Sequence, residues 1–297
     1  MTGTDDPLWP HFKPLWIDFQ NAGEGILVAG GYGLYLKQQW LLEAKELQIA
    51  VPFERWTDAA PRATGDMDLV LTLDLISNET ANKALCTSLE KEGFRVSEKP
   101  HGKRWQFFKE IAEGRHVAVE FHAPEPEENM ANLEANNFAA KHKPSLNDNG
   151  IHGRINYEAI GGMLSPFSFK TDDVTINVPN PVTWTVMKLT AAADNWERSQ
   201  DKKRTAKDQK FLREQSIKHG HDVCRVIALL TQSENDRSGS ILEAIREKEA
   251  FSKAAKIYRK YFTGEDSWAE AVLAERWEPD DFTLILTILN SWFNEQN

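Results

Sequence analysis

Asp66 and Asp68 stand two apart in the run Arg62-Ala-Thr64-Gly-Asp66-Met-Asp68-Leu69. In an extended chain alternate side chains leave on the same face, so these two carboxylates emerge side by side. Like charges that close repel each other, and a cation offsets the cost. Mg²⁺ is the natural cation for hard oxygen donors, and a nucleoside triphosphate would bring more oxygens and bridge a second ion. Upstream, Gly30-Gly31 follows a small apolar run and precedes a helix-like pattern. A glycine turn at a helix start frees backbone N–H groups to hold phosphate oxygens. Taken together, the glycines would hold the phosphates and the carboxylates the metal that bridges them.

The elements that must position these residues can be read from periodicity. Residues 25–40 read as a strand or helix end, a tight glycine turn and a helix with Leu34, Leu41 and Leu42 on its apolar side. Met67, Leu69, Leu71, Leu73 and Leu75 share one parity, which predicts a strand over 67–75. Ala81, Ala84, Leu85 and Leu89 form the stripe of a helix over 78–94, with Gly93 placed to cap its end. Strands are expected at 94–98, 105–111 and 116–122, the last two paired around Glu113-Gly114. Residues 124–162, rich in Pro, Asn, Glu and Gly, read as a long irregular connection. A hairpin over 167–178 turns at Thr171, Asp172 and Asp173. Asn180-Pro181 is a helix start, and helical spacing then runs to the C-terminus. The expected fold is therefore α+β. A mixed α/β domain over 1–178, with its polar loop at 124–162, precedes a mainly helical domain over 179–297.

The order Gly30-Gly31, then Arg62-x-Thr64-x-Asp66-hydrophobic-Asp68-Leu69, resembles the AbiEii/AbiGii-type nucleotidyltransferase toxins of the polymerase-β-like nucleotidyltransferase superfamily. The stretch Val178 to Ala191, with Lys188, resembles the helix that carries a functional lysine there. Lys218-His-Gly-His-Asp222 resembles the start of a later helix that carries a functional aspartate. Gly31 stands where that superfamily often has serine, so no hydroxyl reaches a phosphate at this position. The resemblance implies a polymerase-β-like first domain and transfer of a nucleoside monophosphate from NTP. In it Asp66 and Asp68 bind Mg²⁺, Gly30, Gly31 and Thr64 bind the nucleotide, and Lys188 and Asp222 act in catalysis. It also implies the toxin of a toxin–antitoxin or abortive-infection pair, with a cognate antitoxin as protein partner and RNA such as tRNA as acceptor.

Further residues add to this reading. On the strand 116–122, Glu120 shares a face with Ala118 and His122. A third carboxylate there would complete the metal site or take the acceptor hydroxyl's proton, or else face solvent. Lys188 lies among Val186, Met187, Leu189 and Ala191. A lysine in that setting needs a partner, unless its amine snorkels to the surface. His219 and His221 are two apart and do not face each other on a helix, so a helix-start role for Asp222 is favoured over a transition-metal pair. Residues 202–218 hold Lys202, Lys203, Arg204, Lys207, Lys210, Arg213 and Lys218 against Asp208 and Glu214. They form either a solvated helix face or a grip on the acceptor RNA's phosphates.

Composition bounds these readings. The 297 residues carry 41% hydrophobic and 27% charged side chains, which excludes a disordered chain. The net charge of −10 argues against a general nucleic-acid coat but leaves room for a local basic groove. Cys86 and Cys224 imply no disulfide framework, so a reducing cytoplasm is expected. The first residues carry acids where a secretory signal carries Lys or Arg. The uncharged stretches 25–36 and 282–293 are too short to span a membrane. Three function classes remain: an RNA nucleotidyltransferase, an enzyme of the same fold acting on a small molecule such as an aminoglycoside, and a non-catalytic binding module. The basic stretch counts against the second and the retained acid pair against the third.

Overall fold

The computed structural model describes residues 6–44, 47–57, 65–97, 104–111, 114–125, 150–264 and 267–294. The chain forms two units, one of Met1–Glu43 with Pro61–Pro179 and the other of Ala44–Ala60 with Asn180–Asn297. The fold is α+β, and among the described residues ten elements are α-helices.

The first unit begins with α1 (Trp9–Ala22), whose Trp9, Phe12, Leu15, Trp16 and Phe19 are buried. A glycine-bounded strand follows, β1 (Ile26–Val28), and then α2 (Gly30–Glu43). The other strands of its sheet are β2 (Asp66–Leu71), β3 (Arg95–Val96), β4 (Gln106–Glu110), β5 (His116–Ala123) and β6 (Arg154–Ile155). The order is β1-β2-β5-β4-β3, with β6 added beside the end of β5. The sheet is mixed: β2 and β5 are parallel, β1 is antiparallel to β2, and β4 is antiparallel to β5. One face is apolar. Met67, Leu69, Val119 and Phe121 are buried there, and Phe121 meets Phe107 and Phe19 with ring centroids 5.7 and 6.0 Å away.

Several local expectations hold. Asn78 caps α4 (Glu79–Lys91) through the Ala81 N–H. Gly93 ends that helix with φ +81°, while its own N–H bonds to the Glu90 carbonyl and that of Phe94 to Leu89. β7 (Phe167–Thr171) and β8 (Val174–Val178) form the expected hairpin. Asp172 and Asp173 both take positive φ at its two-residue turn, the geometry that matches strand twist.

Two local expectations do not hold. The strand at 67–75 ends at Leu71, because the Thr72 hydroxyl accepts from the Leu75 N–H and starts α3 (Leu73–Ser77). Leu73 and Leu75 are buried as helix residues. Within 124–162, residues 126–149 lie outside the described ones, but the remainder is not shapeless. Arg154–Ile155 adds β6 to the sheet, and Asn156 caps a single 3₁₀ turn at Tyr157–Ala159.

The second unit is helical: α5 (Pro181–Ser199), α6 (Ala206–Ala228), α7 (Gln232–Ile245), α8 (Glu249–Tyr261), α9 (Trp268–Ala274) and α10 (Pro279–Phe293). The Asn180 side chain accepts from the Thr183 N–H and Pro181 opens α5, as the sequence predicts. Thr231 and Glu234 close a reciprocal cap on α7. Residues 47–57 join this unit by long-range contacts that periodicity does not reveal. Ala50 and Val51 donate to the Leu230 and Ala228 carbonyls, and Trp56 packs on Trp277 at 5.0 Å between centroids. Among the described residues, no helix is long and apolar enough to cross a membrane. Cys86 and Cys224 are free thiols.

Candidate functional site

Strand register builds the site. Asp68 lies opposite Glu120 on the parallel neighbour, and Val70 lies opposite His122. Period-two alternation then puts Asp66, Asp68, Glu120 and His122 on the face away from the apolar core. His122 Nε2 is 3.3 Å from Asp68 Oδ1 and 3.9 Å from Glu120 Oε2. One ligand atom from each of Asp68, Glu120 and His122 lies within 4.8 Å of the other two, close enough to hold a metal ion. Asp66 is exposed at the start of β2, opposite Ala118, and leads into this group.

The neighbouring elements orient these side chains. Gln106 faces Glu120 across β4 and donates from its amide Nε2 to Oε1. The other oxygen, Oε2, faces His122. Burial pushes the Glu120 carboxyl up from its ordinary range, and the Asp68 and Asp66 charges push it further. The Gln106 bond and His122 pull the other way. Desolvation is the larger effect, so Glu120 is a carboxylate held under electrostatic pressure.

Gly30 brings the helix start to the same place. The Ala29 N–H donates to the Asp68 carbonyl at 2.8 Å, which pins the β1–α2 junction to β2. Gly30 then turns with φ +63° into α2. A Cβ at Gly30 would stand 1.8 Å from Asp68 Oδ2 and 2.6 Å from its Cγ. Only glycine satisfies both the left-handed backbone and that approach. A helix N-terminus, which favours anions, therefore opens against the carboxylate of Asp68. Gly31 follows in the first turn of α2, half-buried. Arg62 and Thr64 lie outside the described residues.

Lys188 and Asp222 are in the second unit, and the structure brings them to each other. Lys188 on α5 and Asp222 on α6 are both buried, and Lys188 Nζ donates to Asp222 Oδ2 at 2.6 Å. Lys188 does not snorkel. His219 Nδ1 is 3.9 Å from the same Asp222 oxygen. The expectation that Asp222 sits near a helix start is overturned: residues 218–222 lie far inside the continuous 23-residue α6. Gly220 does not break that helix. It is where α6 meets Leu273, whose side chain would stand 3.2 Å from a Cβ there. His221 lines a small cavity with Trp56, Arg225, Arg276 and Trp277. Burial first, then Arg276 and Arg225, push its imidazole down to about 4. Such cationic surroundings repel a metal ion, in line with the weak case for a histidine pair.

The basic stretch forms an exposed turn and the outer half of α6. Lys202, Lys203, Lys207, Lys210 and Arg213 are exposed, and Phe211 among them is 56% exposed. Its ion pairs are loose: Arg204 with the preceding Asp201 at 3.9 Å and Lys210 with Glu214 at 4.0 Å.

His122 is the residue to which the sequence reading gave no role. Its parity with Glu120 on β5 was visible, but its distance to Asp68 depends on a register set between strands 54 residues apart. Comparison of the chain with protein-family models, curated proteins and solved structures returns no match.

Proposed function

We propose that this protein is a divalent-cation-dependent nucleotidyltransferase, which moves a nucleoside monophosphate from NTP to an acceptor hydroxyl. The observation that carries the reading is the convergence of Asp68, Glu120 and His122 beneath the Gly30 end of α2. Carboxylate oxygens and an anion-favouring helix start are the two halves of a metal–triphosphate site. The donor set fits such an ion, since two carboxylates dominate it and the strands fix their spacing. Gly30-Gly31 and Asp66-x-Asp68, which carry the resemblance to the AbiEii/AbiGii-type toxins, support the same reading.

In this reading Asp66, Asp68 and Glu120 hold Mg²⁺, with two ions in place once NTP is bound. Mg²⁺ held there would supply Lewis-acid polarisation of the phosphates and offset their charge. Gly30 and Gly31, with Thr64, align the triphosphate. The acceptor oxygen forms a bond to the α-phosphorus, the bond to the β-phosphate oxygen breaks, and pyrophosphate leaves. Glu120 completes the metal site, and the hydroxyl proton passes to water. Lys188 neutralises the charge that develops on pyrophosphate, which requires it to exchange Asp222 for phosphate. The exposed basic end of α6 grips an RNA acceptor, tRNA among the candidates, and a cognate antitoxin is the protein partner.

The test is to incubate the protein with each α-³²P-labelled NTP, Mg²⁺ and total cellular RNA, beside the Asp68→Asn variant. Label on RNA with wild type, reduced a hundredfold or more in the variant, is expected. Label on a small molecule instead moves the acceptor to that class. Label on nothing, or equal labelling by the variant, overturns the reading.

A further inference from the structure

Asp68 is shared between two different donor sets. Toward the open end of β2 it is joined by Asp66, an exposed carboxylate that offers oxygen alone. Toward the buried side it is joined by Glu120 and by the His122 imidazole. His122 is 8% exposed, and its position is fixed from both sides: Val70 of β2 pairs with it in register, and so does Arg154 of β6.

We propose that the inner position, formed by Asp68, Glu120 and His122, binds a first-row transition ion such as Mn²⁺ through the His122 Nε2 and does so without nucleotide. The Mg²⁺ that travels with NTP occupies the outer position at Asp66 and Asp68. This assignment rests on the metal-site reading above and adds the identity of one ion to it.

The geometry supports a ligand rather than a bystander. Neighbouring donors around an octahedral ion with bonds of about 2.1 Å stand about 3 Å apart. The Nε2 to Asp68 Oδ1 spacing of 3.3 Å is close to that, and the 3.9 Å to Glu120 Oε2 closes with a small rotation. Gln106 holds the opposite oxygen of Glu120, so Oε2 is the one turned inward. Such an outer partner fixes a ligand's direction.

Ion choice follows from the donors. Mg²⁺ sheds water reluctantly and favours oxygen, so two carboxylates bind it weakly until phosphate oxygens arrive. An imidazole adds little for Mg²⁺ but strengthens binding of transition ions. Three preplaced protein donors also remove the need for nucleotide.

Mn²⁺ alone is the probe, added to tag-free, nucleotide-free protein and followed by electron paramagnetic resonance. About one Mn²⁺ per chain should bind, with Mg²⁺ displacing it only at roughly tenfold excess or more. Pulsed spectra should show coupling to an imidazole nitrogen, which shifts on ¹⁵N-histidine labelling. His122→Asn should lose that coupling and weaken Mn²⁺ binding by about tenfold or more. Asp66→Asn should keep both.

Mn²⁺ bound without nitrogen coupling, or coupling that survives in His122→Asn, overturns the inference and leaves the metal-site reading standing. Binding of neither Mn²⁺ nor Mg²⁺, with or without NTP, overturns the reading itself. If His122→Asn fails to fold, the ¹⁵N-dependent coupling in the wild type decides alone.

Discussion

In the first unit, Asp68 and Glu120 lie in register on neighbouring parallel strands, with His122 3.3 Å from Asp68. In the second, Lys188 and Asp222 meet between two packed helices at 2.6 Å. The first group sets like charges together, and burial with Asp68 drives the Glu120 carboxyl up. The second sets opposite charges together and neutralises them within the fold. A buried opposite pair offsets part of its own desolvation and closes on itself. A buried like pair costs stability until something positive arrives from outside. That contrast separates a group held ready for a ligand from one whose first partner is the protein itself.

The largest expected effect comes from breaking the closed pair. Lys188→Met leaves Asp222 buried with its amine partner gone, which should cost about 3–5 kcal/mol of stability in urea titrations. Lys188→Met with Asp222→Leu should recover most of that, since an apolar pair of similar volume replaces a buried ion pair at little cost. The double variant also separates structure from catalysis. Stability regained while nucleotide transfer stays lost marks the pair as acting in transfer as well as in the fold. Recovery of both makes the pair structural alone. A loss below about 1 kcal/mol in the single variant would mean the pair is not tightly held.

The open group should respond in the opposite direction. Glu120→Gln keeps the shape of the side chain and removes a crowded charge, so the metal-free protein should melt at a higher temperature at neutral pH. The sign follows from the raised carboxyl. Between the ordinary carboxylate range and the raised folded value, the folded state binds more protons than the unfolded one, so wild-type stability falls as pH rises. Below the ordinary range both states are protonated and the variant's advantage disappears. Melting curves in chelator from pH 4 to 8 measure this. A Glu120→Gln protein that is less stable throughout would show that the Gln106 contact outweighs the crowding.

The legible and illegible parts of this molecule divide along the same line. Local signals were readable: the Asp66–Asp68 parity, the glycine turn before α2, the Asp172-Asp173 hairpin and the Asn180-Pro181 cap all depend on a few adjacent residues. Misleading signals were local too. Leu73 and Leu75 continue the strand's parity by accident, because the Thr72 cap had already started a helix. His219-Gly220-His221 looked like a helix boundary, but Gly220 is there for close packing on Leu273. Non-local facts were out of reach. Neither the register that sets Glu120 and His122 beside Asp68 nor the packing that pairs Lys188 with Asp222 leaves a periodic trace. The same holds for the transfer of residues 47–57 to the helical unit.

The smallest expected effect lies in the exposed charges, which follow neither pattern. Lys202 and Lys203 are exposed in the turn before α6, and Arg204 beside them is half-buried. Arg204 and Asp201, 3.9 Å apart and each more than a third exposed, add little to stability. Replacing all three by Gln should leave stability within about 0.5 kcal/mol of wild type, because no buried group loses a partner. Mn²⁺ affinity should not change either, since the exchanged residues belong to the helical unit and the ion's ligands to the sheet. If this turn grips an RNA acceptor, the variant releases fewer counterions on binding. Each lost phosphate contact flattens the dependence of log affinity on log salt by about 0.7 for single strands, so the slope should fall by about 2. Fluorescence anisotropy with labelled tRNA at several salt concentrations reads that slope directly. A slope equal to wild type's would make the stretch an ordinary solvated helix end. The acceptor would then have to be sought away from α6.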